Sequence, residues 1–542
     1  MKNPFDWSAG YPSRRLPIFG RNVVATSHPY AAQAGLRMLH KGGNAVDAAI
    51  AAAAAMTILE PVSNGLGSDA FCILWDGERL HGLNASGRAP AACTPAYFEA
   101  KYGALAKTPP KRGWDSVTVP GAVAGWVALS DRFGKLPFAD LLEPAIDIAE
   151  RGYAVPVVVH QKMAAAAAVQ DLASQPGFAQ AFLPRGRPPN VGERFVFAEA
   201  AKTLRAIAAT RGEAYYRGEI AAAVERHAKA QGGAISAADF AACEPEWVDP
   251  IAIDYRHGFR LHEMPPNGQG IAAQIALGIL RHFDIAGLAS DGVDSQHLQI
   301  EAMKLGFADA YRYVAEPAAM EVTPEQMLDD VYLADRARLI DLKRALHFGP
   351  GTLLKGGTIY ISAADEQGMM VSFIQSNFMG FGSGVVVPEY GVSLQNRGHG
   401  FSLDPQSPNV VAPGKRPFHT IIPGFLTQDG EPVMSFGVMG ANMQPQGHLQ
   451  TLVRMIDYHQ HPQAACDAPR WRFNEGLSIN AEASMDPATV QGLIERGHQL
   501  EIIDDSYQDF GAGQFIWRLG DPAIEGYVAA SDPRRDGQAA AY

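Results

Sequence analysis

Cysteine is scarce: the chain of 542 residues holds four, at Cys72, Cys93, Cys243 and Cys466, with no CxxC spacing. Neither a disulfide framework nor a zinc knuckle is suggested by that spacing, and buried free thiols are expected. Long apolar runs are also missing. The richest, Ala48 to Leu59, is too short to span a bilayer. Residues 1 to 19 carry Asp6, Arg14, Arg15 and Pro17 where a secretion signal would have an apolar core. The expectation is a soluble cytoplasmic protein with no membrane partner. Positive charge is in deficit, with 45 Lys and Arg against 57 Asp and Glu and a net charge of -12. That argues against general affinity for nucleic acid and leaves a small-molecule or peptide substrate. Familiar catalytic signatures are lacking too: no GxSxG elbow, no HExxH, no P-loop, and no GxGxxG after a strand. His262-Glu263 is followed by Met-Pro-Pro, which cannot continue a metal-binding helix.

What is present divides into two parts. Before residue 357 the patterns are mainly helical: Pro29 to Leu39, a run from Asn44 to Met56, then Ala122 to Arg151, Ala200 to Arg211, Gly218 to Gln231 and Ile271 to Phe283. Asn44 is a good N-cap with Asp47 three places on, a weaker variant of the capping box, and the alanine-rich helix behind it is apolar on all sides, so it must be buried. Short strands are expected at Val23 to Thr26 and Ala70 to Trp75. After residue 357 strands dominate: Ile359 to Ala363, Met370 to Gln375, Ile421 to Thr427 and Pro432 to Gly437. The functional boundary falls between Gly357 and Thr358, giving segments 1-357 and 358-542.

That boundary lies in Gly356-Gly357-Thr358-Ile359-Tyr360-Ile361-Ser362. A Gly-Gly lead permits backbone angles other residues resist, so the Thr358 hydroxyl can reach the Gly357 carbonyl. Attack there would shift the acyl group from nitrogen to oxygen, and ester hydrolysis would leave Thr358 as a new N-terminus. A free α-amine, with a pKa of about 7.7 to 8.0, can then act as base for its own hydroxyl. By itself the heptad also describes an ordinary strand entered through a turn, with Thr present because β-branched residues suit strands.

A threonine nucleophile needs donors for the oxyanion. Two glycine-rich turns could supply backbone N-H groups, Gly380 to Gly384 and Gly437 to Asn442, and either could also be a sheet corner. Lys415-Arg416-Pro417-Phe418-His419-Thr420 is a basic loop ending in two donors, or a solvated surface loop. Arg88, in the loop Asn84 to Pro90, is a candidate clamp for a substrate carboxylate, although a lone loop arginine is commonly a surface residue.

Together these residues resemble the γ-glutamyltransferase family (γ-glutamyltranspeptidase, glutathione hydrolase) of N-terminal nucleophile hydrolases. The likeness rests on His28-Pro29, Gly42 to Ala49, Gly65-Leu66-Gly67-Ser68-Asp69, the Arg88 loop, Val119-Pro120-Gly121, the Thr358 strand, Phe381 to Gly384, Pro408-Asn409, Lys415-Arg416-Pro417 and Ala468-Pro469-Arg470. It implies an α+β fold, an αββα four-layer sandwich built from a large subunit (1-357) and a small subunit (358-542) of one self-cleaving precursor. It implies that Thr358 is the processing and catalytic nucleophile, that Ser376 supports it, that Arg88 holds the substrate carboxylate, and that Gly440 and Ala441 form the oxyanion hole. No metal or organic cofactor is expected. The two subunits are each other's partners, and a homo-oligomer is compatible with the sequence without being specified by it.

The departures concern substrate. Where typical members grip the α-amino group with Asn and Asp, this chain has Phe378 and Gly400. Where they place two serines on the α-carboxylate, it has His419 and Thr420. An ammonium without a carboxylate partner would lose hydration uncompensated. The expectation is therefore a γ-glutamyl amide at family level and, more sharply, an acyl group with a carboxylate and no amine, as in glutaryl (cephalosporin) acylases or oxamate amidohydrolase. The alternative of an inactive scaffold is opposed by the retention of Gly357, Thr358 and Arg88.

Overall fold

The computed structural model describes Trp7 and residues 15-348, 357-504 and 509-542; Gly356, the first glycine of the Gly-Gly-Thr motif, lies outside them. Two seven-stranded sheets, antiparallel throughout, form the centre. The first runs in the order Gln538–Ala541, Val23–Thr26, Gly357–Ala364, Met370–Phe378, Asp69–Trp75, Leu80–Ala85, Glu246–Val248. The second runs Ile18–Gly20, Tyr527–Ser531, Ala512–Arg518, Glu431–Met439, Gly424–Gln428, Phe259–Glu263, Ile251–Asp254. Each sheet contains strands from both sides of residue 357, so segments 1-357 and 358-542 share both sheets.

Period-two alternation explains the layering. Tyr360, Met370 and Ile374 point between the sheets and meet Phe425, Met439 and Ile516 of the second. Their neighbours Ile359, Ile361, Val371 and Phe373 point outward to helices Pro29–His40, Ala45–Leu59 and Phe138–Arg151. On the far side Leu426, Met434, Phe436 and Phe515 meet helices Gly270–Leu280 and Val293–Tyr313. The four layers are the expected αββα sandwich.

Helix Ala45–Leu59 is buried along its whole length, as its all-round apolar pattern requires. Its capping box is made: Asp47 N donates to Asn44 Oδ1 at 3.0 Å and Asn44 N to Asp47 Oδ2 at 3.1 Å. Cys72, Cys93 and Cys466 are buried free thiols, and Cys243 is a half-buried one. No helix among the described residues is long and apolar enough to cross a membrane.

Candidate active site

Thr358 is the second residue of its strand. It shares parity with Tyr360 and so points between the sheets, where it is 2% exposed. The ladder to the next strand is irregular here: Gly357 pairs with Phe378 but Ile359 with Gln375, so Thr358 alone faces both Ser376 and Asn377. Such a bulge redirects side chains, and it brings Ser376 Oγ against the motif. The Thr358 hydroxyl donates to Ser376 Oγ at 3.3 Å, and Ser376 Oγ donates to the Gly357 carbonyl at 2.8 Å. Phe378 N donates to the same Oγ at 2.8 Å and fixes it. Ser376 therefore bridges the hydroxyl and the carbonyl of the Gly357–Thr358 bond.

Both glycine-rich turns come to this place. Gly380, Met439 and Gly440 line, with Gly357 and Thr358, a cleft of about 470 Å³ that also carries Arg112, Lys162, Arg535 and Asp509. Gly440 has φ +125° and Ala441 φ +52°, the left-handed region that alanine resists. Gln269 Nε2 holds the turn by donating to Ala441 O at 3.0 Å, and the helix Met443–Leu452 begins just behind it. Left-handed Phe378 and Phe381, φ +76° and +59°, lie in the same region, in keeping with strain collecting at functional sites.

The basic loop is not at the surface. Arg416, His419 and Thr420 are all buried. His419 Nε2 lies 3.1 Å from Asp69 Oδ2, and burial drives its pKa well below the usual value, so the ring is neutral and engaged by Asp69. Asp69 Oδ1 accepts from Gly87 N at 3.0 Å and Gly121 N at 3.2 Å, tying two of the sequence motifs together. Thr420 Oγ1 accepts from Arg397 Nη1 at 2.7 Å. Gly400 ends a short turn, and a Cβ there would lie 3.0 Å from Phe418 O, so the position has little room for a side chain.

Arg88 lies elsewhere. Its half-exposed guanidinium pairs with Glu316 Oε1 at 2.6 Å and Gly414 O at 2.9 Å, and it lines a second cleft, of about 340 Å³, with Asp239, Cys243 and Glu244. The structure thus brings together Gly357, Thr358, Ser376, Phe378, Gly440 and Ala441, joins Thr420 to Ala441 through Gln269 Nε2 with His419 beside it, and places Arg88 on a different cleft, its loop tied to the same segment by Arg416 Nε donating to Ser86 O.

Several residues here were not expected from the sequence, Gln444 and Arg397 among them. Gln444 Nε2 donates to Thr358 Oγ1 at 3.3 Å while its Oε1 accepts from Ile422 N at 2.9 Å. Its position one turn beyond the Gly440 turn was the available signal. Arg397, fully buried among the Phe378 and Thr420 segments, gave none, because burial of a charge is a tertiary property. For metals, His297, Glu301 and His498 approach one another elsewhere. They are already matched, Glu301 Oε1 with Lys304 Nζ at 2.6 Å and the two imidazoles with each other at 2.9 Å.

Residues 31–542 match the gamma-glutamyltranspeptidase family. The chain is 35% identical over 530 residues to the glutathione hydrolase-like YwrD proenzyme of Bacillus subtilis (strain 168), covering 96% of this chain and 98% of that one. It is 34% identical over 532 residues to the oxamate amidohydrolase proenzyme of Klebsiella pneumoniae, covering 96% and 98%. The crystal structure of cephalosporin acylase from Bacillus halodurans superposes with a TM-score of 0.93 at 47% identity, covering 100% of this chain and 99% of that one. The chain belongs to the gamma-glutamyltranspeptidase family and is an amide hydrolase of that family.

Proposed function

We propose that this hydrolase is made as a precursor that cuts its own Gly357–Thr358 bond and then works through a threonyl acyl-enzyme on amides whose acyl group carries a carboxylate and no α-amine. The observation that carries the reading is the Ser376 bridge, 2.8 Å from Gly357 O and 3.3 Å from Thr358 Oγ1. In processing, Thr358 Oγ1 attacks the Gly357 carbonyl carbon and its proton passes through Ser376 Oγ toward the carbonyl oxygen. The carbon–nitrogen bond breaks, nitrogen takes up a proton, and water hydrolyses the resulting ester to a Gly357 carboxylate and a free Thr358 amine. In turnover that amine takes the Oγ1 proton, Oγ1 attacks the substrate carbonyl, and N-H groups of Gly440 and Ala441 receive the oxyanion. The ammonium protonates the leaving amine, and water releases the acid.

The acyl preference rests on what surrounds Thr358. The cleft carries three cationic side chains, Arg112, Lys162 and Arg535, against one carboxylate, Asp509. Asp509 is held by Arg472 and Asp69 by two backbone N-H groups and His419. Asn377 Oδ1 is taken by Ser68 Oγ and His399 Nδ1 faces Pro109 O, so a substrate ammonium would displace existing partners. Glutaryl amides and oxamate fit this description. γ-Glutamyl amides remain the second reading, favoured by the family match itself.

Mass spectrometry tests the first half: wild-type protein should begin at Thr358 in its smaller fragment, and Thr358→Ala should stay whole and inactive. Rates on a γ-glutamyl anilide, the glutaryl anilide and oxamate test the second. A strong preference for the γ-glutamyl compound would sink the amine-free reading.

A further inference from the structure

Arg397 has an unusual environment. It is 1% exposed, among the largest side chains wholly inside the protein. One corner of its guanidinium is used, Nη1 donating to Thr420 Oγ1 at 2.7 Å. One face is covered by the Phe378 ring, whose centroid lies 4.5 Å from the guanidinium carbon. The remaining edge, Nε with Nη2, has no hydrogen-bond partner among the described residues. Those two N-H groups are parallel and spaced to meet both oxygens of one carboxylate. A buried cation with two unmatched donors is costly unless something answers it.

The nearest protein anion does not. Asp69 acts on Arg397 only through its charge, since its own oxygens are committed to Gly87 N, Gly121 N and His419. Burial pulls the Arg397 pKa down to about 9, which leaves it cationic at neutral pH. Arg416 adds a second buried guanidinium to the cluster, answered by Glu246 at 2.5 Å from the cluster's outer side.

The position relative to Thr358 follows from bonds on two sides. Phe378, stacked on Arg397, pairs with Gly357 and donates its N-H to Ser376. Thr420, bonded to Arg397, shares Gln269 Nε2 with Ala441 of the candidate oxyanion turn. Two residues on, Ile422 N binds Gln444, which reaches Thr358 Oγ1. Arg397 therefore sits in the wall formed by the two segments that flank the nucleophile.

We propose that Arg397, through its Nε and Nη2 edge, is the residue that binds the acyl-side carboxylate of the substrate, with the Thr420 hydroxyl beside it, and that Arg88 is not. The inference deepens the reading of Thr358 given above and rests on it for the identity of the substrate. It also explains Phe378. A ring there orients the guanidinium by cation–π contact and takes the space an amine-binding side chain would use. The acid selected is one whose carboxylate is its only charged group.

The experiment uses purified, self-cleaved protein, with glutaryl p-nitroanilide and the neutral analogue in which a carboxamide replaces the free carboxyl. Wild type should prefer the acid by at least about tenfold in kcat/KM, the equivalent of about 1.4 kcal/mol. Arg397→Met should bring the ratio close to one, mainly by raising KM for the acid, with Arg397→Lys between the two. A purely structural role would lower both substrates together and keep the ratio. Free glutarate gives a second readout that needs no turnover: it should raise the melting temperature of wild type, glutaramide should not, and Arg397→Lys should blunt the effect. This arm still judges the proposal if Thr358 proves not to be the nucleophile. An unchanged acid-to-amide ratio in a folded Arg397→Met protein, no preference for the acid in wild type, or loss of the ratio in Arg88→Ala but not in Arg397→Met would each overturn it.

Discussion

Replacing Ser376 with Ala tests the processing mechanism most directly. The hydroxyl makes three contacts, donating to Gly357 O at 2.8 Å and accepting from Phe378 N at 2.8 Å and Thr358 at 3.3 Å. In the resting precursor the bond to Gly357 O is between neutral groups and contributes about 0.5 to 1.5 kcal/mol net; against the anionic oxygen of the tetrahedral intermediate it contributes about 1.5 to 3. The difference, about 1 to 2 kcal/mol, acts on the barrier alone and corresponds to roughly 5- to 30-fold in rate. Losing the proton path through Oγ adds to it, so self-cleavage should slow by about 10- to 100-fold, reaching only the lower end of the roughly 100- to 1000-fold cost of removing a single oxyanion donor. The assay is cell-free synthesis followed by denaturing gels, timing the appearance of fragments of 357 and 542 - 357 = 185 residues. Ser376→Ala also leaves Phe378 N without its partner, at a cost of about 1 to 3 kcal/mol in stability. A thermal melt measures that separately, and Ser376→Thr, which keeps a hydroxyl, should process nearly normally. Cleavage of a folded Ser376→Ala precursor within twofold of the wild-type rate would refute the bridge as a working part.

Gln444→Ala should lower turnover by about fivefold, the equivalent of one net hydrogen bond of about 1 kcal/mol to Thr358 Oγ1, read as kcat on any substrate the wild type accepts. His28 is 2% exposed and caps helix Pro29–His40 through Nδ1, which accepts from Tyr30 N; burial pulls its pKa from 6.5 to about 3. Because the unfolded chain takes up that proton first, the contribution is complete above pH 6.5 and is lost as pH falls toward 3, at about 1.36 kcal/mol per unit. His28→Asn, which keeps a capping group, should therefore narrow the gap in melting temperature between pH 7 and pH 5. At Gly87 an added Cβ would lie 1.5 Å from Val119 O, so Gly87→Ala should abolish soluble expression or cost more than about 4 kcal/mol in a melt.

How much of this was legible beforehand depends on whether a residue's role is local. The strand at Thr358 and the capping box at Asn44 follow from period, caps and glycine placement, which are written along the chain, and the αββα layering was implied by the family resemblance. Helix Val293–Tyr313 was not expected, because its buried face carries Gln296, His297, Gln299, Glu301 and Lys304. Such a pattern reads as solvated until tertiary structure supplies the partners that satisfy it, Glu301 for Lys304 and His498 for His297. Three later strands escaped for a related reason: they are short and stand apart from the main sheets, Trp471–Glu475 and Ser478–Glu482 forming a separate three-stranded sheet with Gln499–Ile503.

The same distinction applies inside the site. Arg88 drew attention because its loop is rich in Gly and Pro, a feature visible in sequence, but Glu316 and Gly414 O already answer its charge at the surface. Arg397 stands between Asn396 and Gly398 with no comparable mark, and only the folded chain reveals that its charge is buried and half unmatched. A cation that the protein solvates fully is doing structural work, whereas one left with two aligned donors is prepared for an anion from outside. Specificity in this sandwich should therefore follow residue 397 and its covering ring at 378 more closely than the arginine at 88, and exchanging Arg397 and Phe378 together should change the acyl group accepted, read as the acid-to-amide ratio of kcat/KM.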